Sequence, residues 1–138
     1  MITLIVGKKG SGKTKKLIER TNAAVEHSNG NVIVIEKGTK LTYDITHEAR
    51  LIDTESYDIQ GVDALVGFIS GICAANYDVT DILVDSTLKI IGSDMNVFEG
   101  VAEKMDKLSN KTDTKITLLV SADAADLPEA IAKFAESV

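Results

Sequence analysis

The sequence predicts one α/β domain of three layers, in which a mainly parallel sheet of about four to five strands has helices on both faces. Short apolar runs alternate along the chain with segments whose apolar residues recur at helical spacing. The run at residues 32–35 is apolar throughout, as expected of a parallel strand buried on both faces. A length of 138 residues, 44% of them hydrophobic, fits a single domain, residues 1–138, with its own core.

The predicted strands are short and lack a helical repeat. The most apolar of them are at residues 2–6, 32–35, 81–85 and 115–120. Residues 38–56 show little pattern apart from a short strand at residues 49–53. Because each strand is separated from the next by a helix or a long connection, the sheet should be parallel.

The predicted helices are recognised by their repeat and their ends. The first begins at Lys13 and stops at residues 29–31, and another covers residues 94–108. Residues 126–129 have the N-cap, the first-turn proline and the carboxylate that open a last helix. These helices supply the outer layers of the fold.

One predicted helix, over residues 57–75, contains three glycines. Gly61, Gly67 and Gly71 interrupt an otherwise wide apolar face. Because a glycine costs about 1 kcal/mol inside a helix, we expect close packing against a neighbouring element at these positions.

Composition limits the classes of function. The net charge of −6 argues against a nucleic-acid-binding surface. A single cysteine, Cys73, cannot form an internal disulfide, which suits a reducing cytoplasm. The apolar run at residues 2–6 is too short for a membrane span, and its lysines follow it, unlike those of a signal peptide. We therefore expect a cytoplasmic protein without a membrane partner.

The most specific motif is a glycine loop, residues 7–14, which fits the phosphate-binding pattern G-x-x-x-x-G-K-[ST] at every position. It lies between a predicted strand and a predicted helix. Its glycines allow successive N–H groups to turn inward around a polyphosphate, and the helix adds its positive amino end. Its residues are Gly7, Lys8, Lys9, Gly10, Ser11, Gly12, Lys13 and Thr14, and Lys15 and Lys16 add further charge.

With this loop the chain resembles the P-loop NTPases over roughly residues 1–35. The resemblance implies a three-layer P-loop NTPase-like fold that binds ATP and Mg²⁺ through the glycine loop. It assigns Lys13 to the β- and γ-phosphates and the Thr14 hydroxyl to Mg²⁺. Asp85, at the end of a strand, has the place of the Walker-B aspartate, so that Lys13 and Asp85 are the candidate catalytic residues. Asp53 is the competing aspartate, and Glu36 also ends a strand at the same edge.

Departures from the resemblance concern catalysis. In the branch with a RecA-like core, to which this small protein is most similar, a glutamate commonly follows the Walker-B aspartate, whereas here Ser86 does. Ser121 stands where that branch keeps a polar sensor of the γ-phosphate. The only arginines, Arg20 and Arg50, do not follow the Walker-B strand. Because an arginine finger is worth about 10³–10⁵ in rate, we expect ATP hydrolysis to be slow or to depend on a protein partner or self-association.

Two other functions stay open. A small-molecule kinase would hold its acceptor with Glu36 or Asp53, but the sequence lacks an arginine-bearing lid. A GTP-dependent switch would use residues 110–113, which fit the guanine-reading string N-K-x-D, and residues 58–61, which fit D-x-x-G. The context disfavours the switch, because Asn110 follows a helix and Asp113 precedes a strand, at the sheet edge opposite the glycine loop.

Lys8 gives one more resemblance. A lysine at the second position of the loop is similar to the deviant Walker loop of the Min and partition ATPases, in which it reaches across a dimer. Those loops continue K-G-G, whereas this one continues with Lys9 and Gly10.

Overall fold

Six parallel strands form one sheet in the computed structural model, which describes residues 1–138. The strand order is β3-β2-β4-β5-β1-β6. The strands are β1 (Thr3–Gly7), β2 (Asn31–Glu36), β3 (Arg50–Asp53), β4 (Val79–Val84), β5 (Lys115–Ser121) and β6 (Ala135–Ser137). The predicted α/β class and parallel sheet are confirmed, but the expected strand number was too low.

Helices cover both faces of this sheet, though unequally. They are α1 (Lys13–His27), α2 (Val62–Ala75), α3 (Thr87–Ile91), α4 (Met95–Thr112) and α5 (Glu129–Ala132). On one face, Leu17 of α1 joins Leu41 and Ile45 from the β2–β3 loop (residues 37–49) in a small core. The larger core lies on the other face, where α2 to α5 contribute buried residues such as Ile69 and Phe98. None of these helices has the length and hydrophobicity of a membrane-spanning helix.

The glycine-containing helix differs from its prediction. It begins at Val62, because Gly61 has a positive φ of 94° and precedes the helix as its N-cap. Residues Thr54–Tyr57 form a separate 3-10 turn, capped by the Asp53 side chain. A Cβ atom at Gly67 or Gly71 would meet no atom within 4 Å, so the expected close packing at these glycines does not occur within the chain.

The end of the chain also differs. The predicted cap Asp126 belongs to a 3-10 turn, Ala124–Asp126, and the helix that follows has only four residues. The chain then pairs in parallel with β1 as β6, whose register places Ile5 beside Glu136. As a result the strand that leads into the glycine loop has a neighbour on each side, β5 and β6.

Candidate functional site

Four strands end at a cleft of about 450 Å³ at the carboxyl edge of the sheet. Because all strands are parallel, their carboxyl ends meet at this edge, where open α/β sheets bind ligands. The predicted site residues that line it are Lys9, Gly10, Lys13, Thr14, Glu36, Asp85 and Ser121. The other loop residues, Gly7, Lys8, Ser11 and Gly12, complete the glycine loop without lining this cleft.

The backbone of the glycine loop is left-handed at two of its residues. Gly10 and Gly12 have positive φ angles of 82° and 93°, in the left-handed region that favours glycine. Alternation of right- and left-handed conformations turns successive N–H groups to one side of the chain. Gly12 is the N-cap of α1 and supplies no side-chain cap, so the N–H groups of the first turn are donors that an anion can satisfy.

Lys13 lies inside the curve of this loop. Its side chain is buried, with 8% of the residue exposed, and Nζ donates a hydrogen bond of 3.0 Å to the carbonyl oxygen of Lys8. Burial lowers the pKa of Lys13 from its ordinary value of 10.5, and the nearby Asp85 carboxylate opposes this shift. The ammonium group of Lys13 therefore has little contact with water and one carbonyl oxygen as a partner. An anion that enters the loop would stabilise this charge further.

Asp85 and Thr14 bring oxygen atoms to the same cleft. Asp85 follows β4 directly and is tied to β2, because its N–H donates to the carbonyl oxygen of Ile35 at 2.8 Å. The Ser86 hydroxyl donates to Asp85 Oδ2 at 3.1 Å. Thr14 is exposed in the first turn of α1. A carboxylate and a hydroxyl are ligands of the type that Mg²⁺ takes beside phosphate oxygens.

The two other strand-end carboxylates hold the β2–β3 loop. Glu36 is buried and accepts a hydrogen bond of 3.2 Å from Leu41 N–H through Oε2. Asp53 accepts from Gly38 N–H and from Glu55 N–H, both at 2.9 Å, and these bonds lower its pKa. Asp53 does not line the cleft, so of the two competing aspartates only Asp85 lies beside the glycine loop.

Burial of Glu36 makes the stability of the fold depend on pH. Burial raises its pKa from the ordinary 4.5, and the Asp85 and Asp53 carboxylates add to the increase, against the N–H groups of Leu41 and Lys40. The folded protein therefore binds this proton more tightly than the unfolded chain. The resulting stabilisation is complete below the unfolded pKa and is lost as the pH rises through the folded one.

We predict that Glu36→Gln removes this loss of stability. Urea unfolding at a series of pH values should show the free energy of unfolding of the wild type falling, relative to Glu36→Gln, as the pH rises above about 4.5. Glu103→Gln, which removes an exposed carboxylate of α4, is the control for the change in charge. Parallel curves for wild type and Glu36→Gln would contradict the prediction.

Ser121 lies at the cleft, whereas the two arginines lie away from it. Ser121 pairs with Gly7 in the register of β1 and β5, and β5 lies between β1 and β4. The hydroxyl-bearing residue is therefore between the glycine loop and Asp85 along the edge. Arg20 forms an ion pair with Glu136. Arg50 is the first residue of β3, so it lies at the amino ends of the strands, opposite the cleft. Neither arginine lines the cleft.

The cleft also contains residues that were not predicted from the sequence as part of the site. Lys37, Lys40, Lys89 and Ser93 line it together with the predicted residues. Lys37 follows β2 directly, so the rule that strand ends carry ligand-binding residues would have found it. Lys89 was hidden because it lies in the short helix α3, which the sequence pattern did not predict.

The guanine-reading string lies at the opposite edge, as expected. Asn110 is in the last turn of α4, and its Oδ1 accepts a hydrogen bond of 2.6 Å from the Met1 amine. Asp113 is the C-cap of α4 with a positive φ of 53°. It borders a separate groove of about 650 Å³ that also includes Arg20. Neither residue faces the cleft of the glycine loop.

Comparison with known proteins does not supply a family. No protein-family model matches the chain, and curated proteins likewise give no match. A functional assignment therefore depends on the geometry of the cleft.

Proposed function

We propose that this chain is a P-loop protein that binds Mg-ATP and hydrolyses it slowly or only with a partner. One observation carries the proposal: the glycine loop, with two left-handed glycines and the buried Lys13, lies at the same cleft as Asp85 and Thr14. A loop of N–H donors beside a buried cation fits a polyphosphate. The two oxygen-bearing residues fit its magnesium ion.

In this proposal each residue has a defined task. The N–H groups of the glycine loop and of the first turn of α1 bind phosphate oxygens, and Lys13 neutralises charge on the β- and γ-phosphates. Thr14 and Asp85 hold Mg²⁺, which when bound offsets the charge that develops on the phosphates. Ser121, which lines the cleft, would donate a hydrogen bond to the γ-phosphate.

The same geometry supports weak catalysis. The residue after Asp85 is Ser86, whose hydroxyl is engaged with the Asp85 carboxylate and is a poor base. Arg20 is paired with Glu136 and Arg50 is exposed at the start of β3, so neither stabilises a transition state in the cleft. A partner or a second copy of the chain would have to supply that cation.

Calorimetric titration of ATP and of GTP, with Mg²⁺ and with a chelator, tests the proposal. We expect one ATP per chain, weaker binding without Mg²⁺, and phosphate release on the order of 10⁻³ s⁻¹ or slower, as in NTPases without an arginine finger. Binding of neither nucleotide would overturn the proposal. Binding of GTP alone, lost in Asp113→Asn, would instead support the switch.

A further inference from the structure

A second group of lysines lines the cleft across from the glycine loop. Lys37 and Lys40 come from the β2–β3 loop and Lys89 from α3, and we call these three the lysine patch. None of the three forms an ion pair with a carboxylate. Lys8 of the glycine loop and Lys16 of α1 are paired with Asp123 at 3.6 Å and with Glu136 at 3.4 Å. The lysine patch therefore brings three positive charges to the cleft without a carboxylate partner.

The backbone that carries the patch is held in place by the fold. The strand-end carboxylates of Glu36 and Asp53 accept hydrogen bonds from Leu41 N–H and Gly38 N–H, which fix the turn around Lys37 and Lys40. Gly38 has a positive φ of 115°, so this turn requires glycine. The backbone at Lys37 and Lys40 is therefore positioned before any ligand binds.

Lys37 connects the β2–β3 loop to α3. Its Nζ donates to the carbonyl oxygen of Lys89 at 3.3 Å and to Gln60 Oε1 at 3.2 Å. An ammonium group has three donors, so one remains for a further acceptor. Lys37 is half-buried, whereas Lys40 and Lys89 are exposed at the rim, where they can turn toward an anion.

The charge of the cleft exceeds what one nucleotide needs. Five lysines line it against two carboxylates, and the lysines are Lys9, Lys13, Lys37, Lys40 and Lys89. Lys9, Lys13 and the N–H groups of the glycine loop already match a triphosphate whose charge Mg²⁺ partly neutralises. Like charges gathered at one cleft repel each other unless an anion lies among them.

We propose that the lysine patch is a second anion subsite, which binds the phosphate group of a separate co-ligand beside the triphosphate. Lysine is a compact, strongly charged donor that binds phosphate as a point charge. The inference rests on the proposed function for the place of the triphosphate. It also changes the roles of Glu36 and Asp53, which position the lysine-bearing loop and do not themselves hold the co-ligand.

Pyrophosphate is the probe, titrated calorimetrically into four proteins. These are the wild type, Lys13→Ala, the triple variant Lys37→Ala/Lys40→Ala/Lys89→Ala, and the matched control Lys104→Ala/Lys107→Ala/Lys111→Ala, whose lysines are exposed on α4. We expect two sites in the wild type and control. Lys13→Ala should keep the patch site. In the patch variant this site should bind at least about tenfold more weakly, because charge-assisted contacts are lost.

Several results would overturn the subsite. These are a single pyrophosphate in the wild type, loss of both sites in Lys13→Ala, or a patch variant that binds like the control. Circular dichroism checks the fold, and the single variant Lys40→Ala at the exposed rim should show a smaller loss at the same site. Failure of ATP to bind would count against the proposed function and leave the pyrophosphate result intact.

A second titration identifies the source of the phosphate. Pyrophosphate is added to the wild type saturated with the magnesium complex of a non-hydrolysable ATP analogue. One bound pyrophosphate supports a separate co-ligand. Its exclusion by the analogue would mean that the lysine patch serves the phosphates of the nucleotide itself, and would overturn the proposal of a co-ligand.

Discussion

Replacing Lys13 with alanine should weaken Mg-ATP binding by about 100-fold, because a hydrogen-bonded charge in a desolvated site is worth about 1.5–3 kcal/mol. Lys13 is 8% exposed and lies within the glycine loop, so water cannot fully replace its ammonium group beside a phosphate. Calorimetric titration in the presence of Mg²⁺ measures the change.

Lys15 is the matched control for Lys13. It lies in the first turns of the same helix, but it is exposed and does not line the cleft. Lys15→Ala should therefore bind ATP within about twofold of the wild type, as expected for a solvated charge. Burial disfavours the charge of Lys13, so Lys13→Ala should still fold, which thermal unfolding can check. ATP affinity of Lys13→Ala equal to that of the wild type would remove the central support for the proposed function.

Replacing Asp85 with asparagine should abolish most of the gain in ATP affinity that Mg²⁺ provides, a change of about tenfold or more. Asparagine keeps the size of the side chain but lacks the negative charge that a divalent cation needs. The measurement compares ATP titrations with Mg²⁺ and with a chelator, so that each protein serves as its own reference.

Asp81→Asn provides the control for this second prediction. Asp81 lies near the amino end of β4, the strand that Asp85 follows, and away from the cleft. Its variant should keep the full effect of Mg²⁺. If Asp85→Asn also keeps that effect while Asp53→Asn loses it, Asp53 is the metal ligand and the proposed arrangement is wrong.

Strong local signals made part of the fold predictable. The strands around Ile5, Val34 and Leu118 are continuous apolar runs, and burial on both faces explains why the sequence shows them so clearly. β6 lacks such a signal, since its residues are half-buried or exposed. β6 is a strand because it pairs with β1, and the two strands are far apart in the sequence. α3 was missed because it has only five residues.

The place of the candidate site could be predicted where the motif lies between a strand and a helix. Gly12 of the pattern has a positive φ, and so does Gly10, which the pattern leaves free. Gly7 has no positive φ, but a Cβ atom there would clash with the Ser11 hydroxyl. The roles of Glu36 and Asp53 could not be predicted in this way. These roles depend on which N–H groups donate hydrogen bonds to the two carboxylates, namely those of Leu41 and Gly38. The path of the β2–β3 loop decides this, and the sequence of that loop has no repeating pattern.

The strand order has a consequence for biosynthesis. β1 leaves the ribosome before β2, β3 and β4, yet its two neighbours in the sheet, β5 and β6, are synthesised after all of them. Because synthesis adds about 5–20 residues per second, this apolar strand has both edges unpaired for several seconds. During this time it is exposed to aggregation and to chaperones. The glycine loop that follows β1 can be fixed only when these late strands arrive. ATP should therefore stabilise the completed sheet and give little protection to the growing chain.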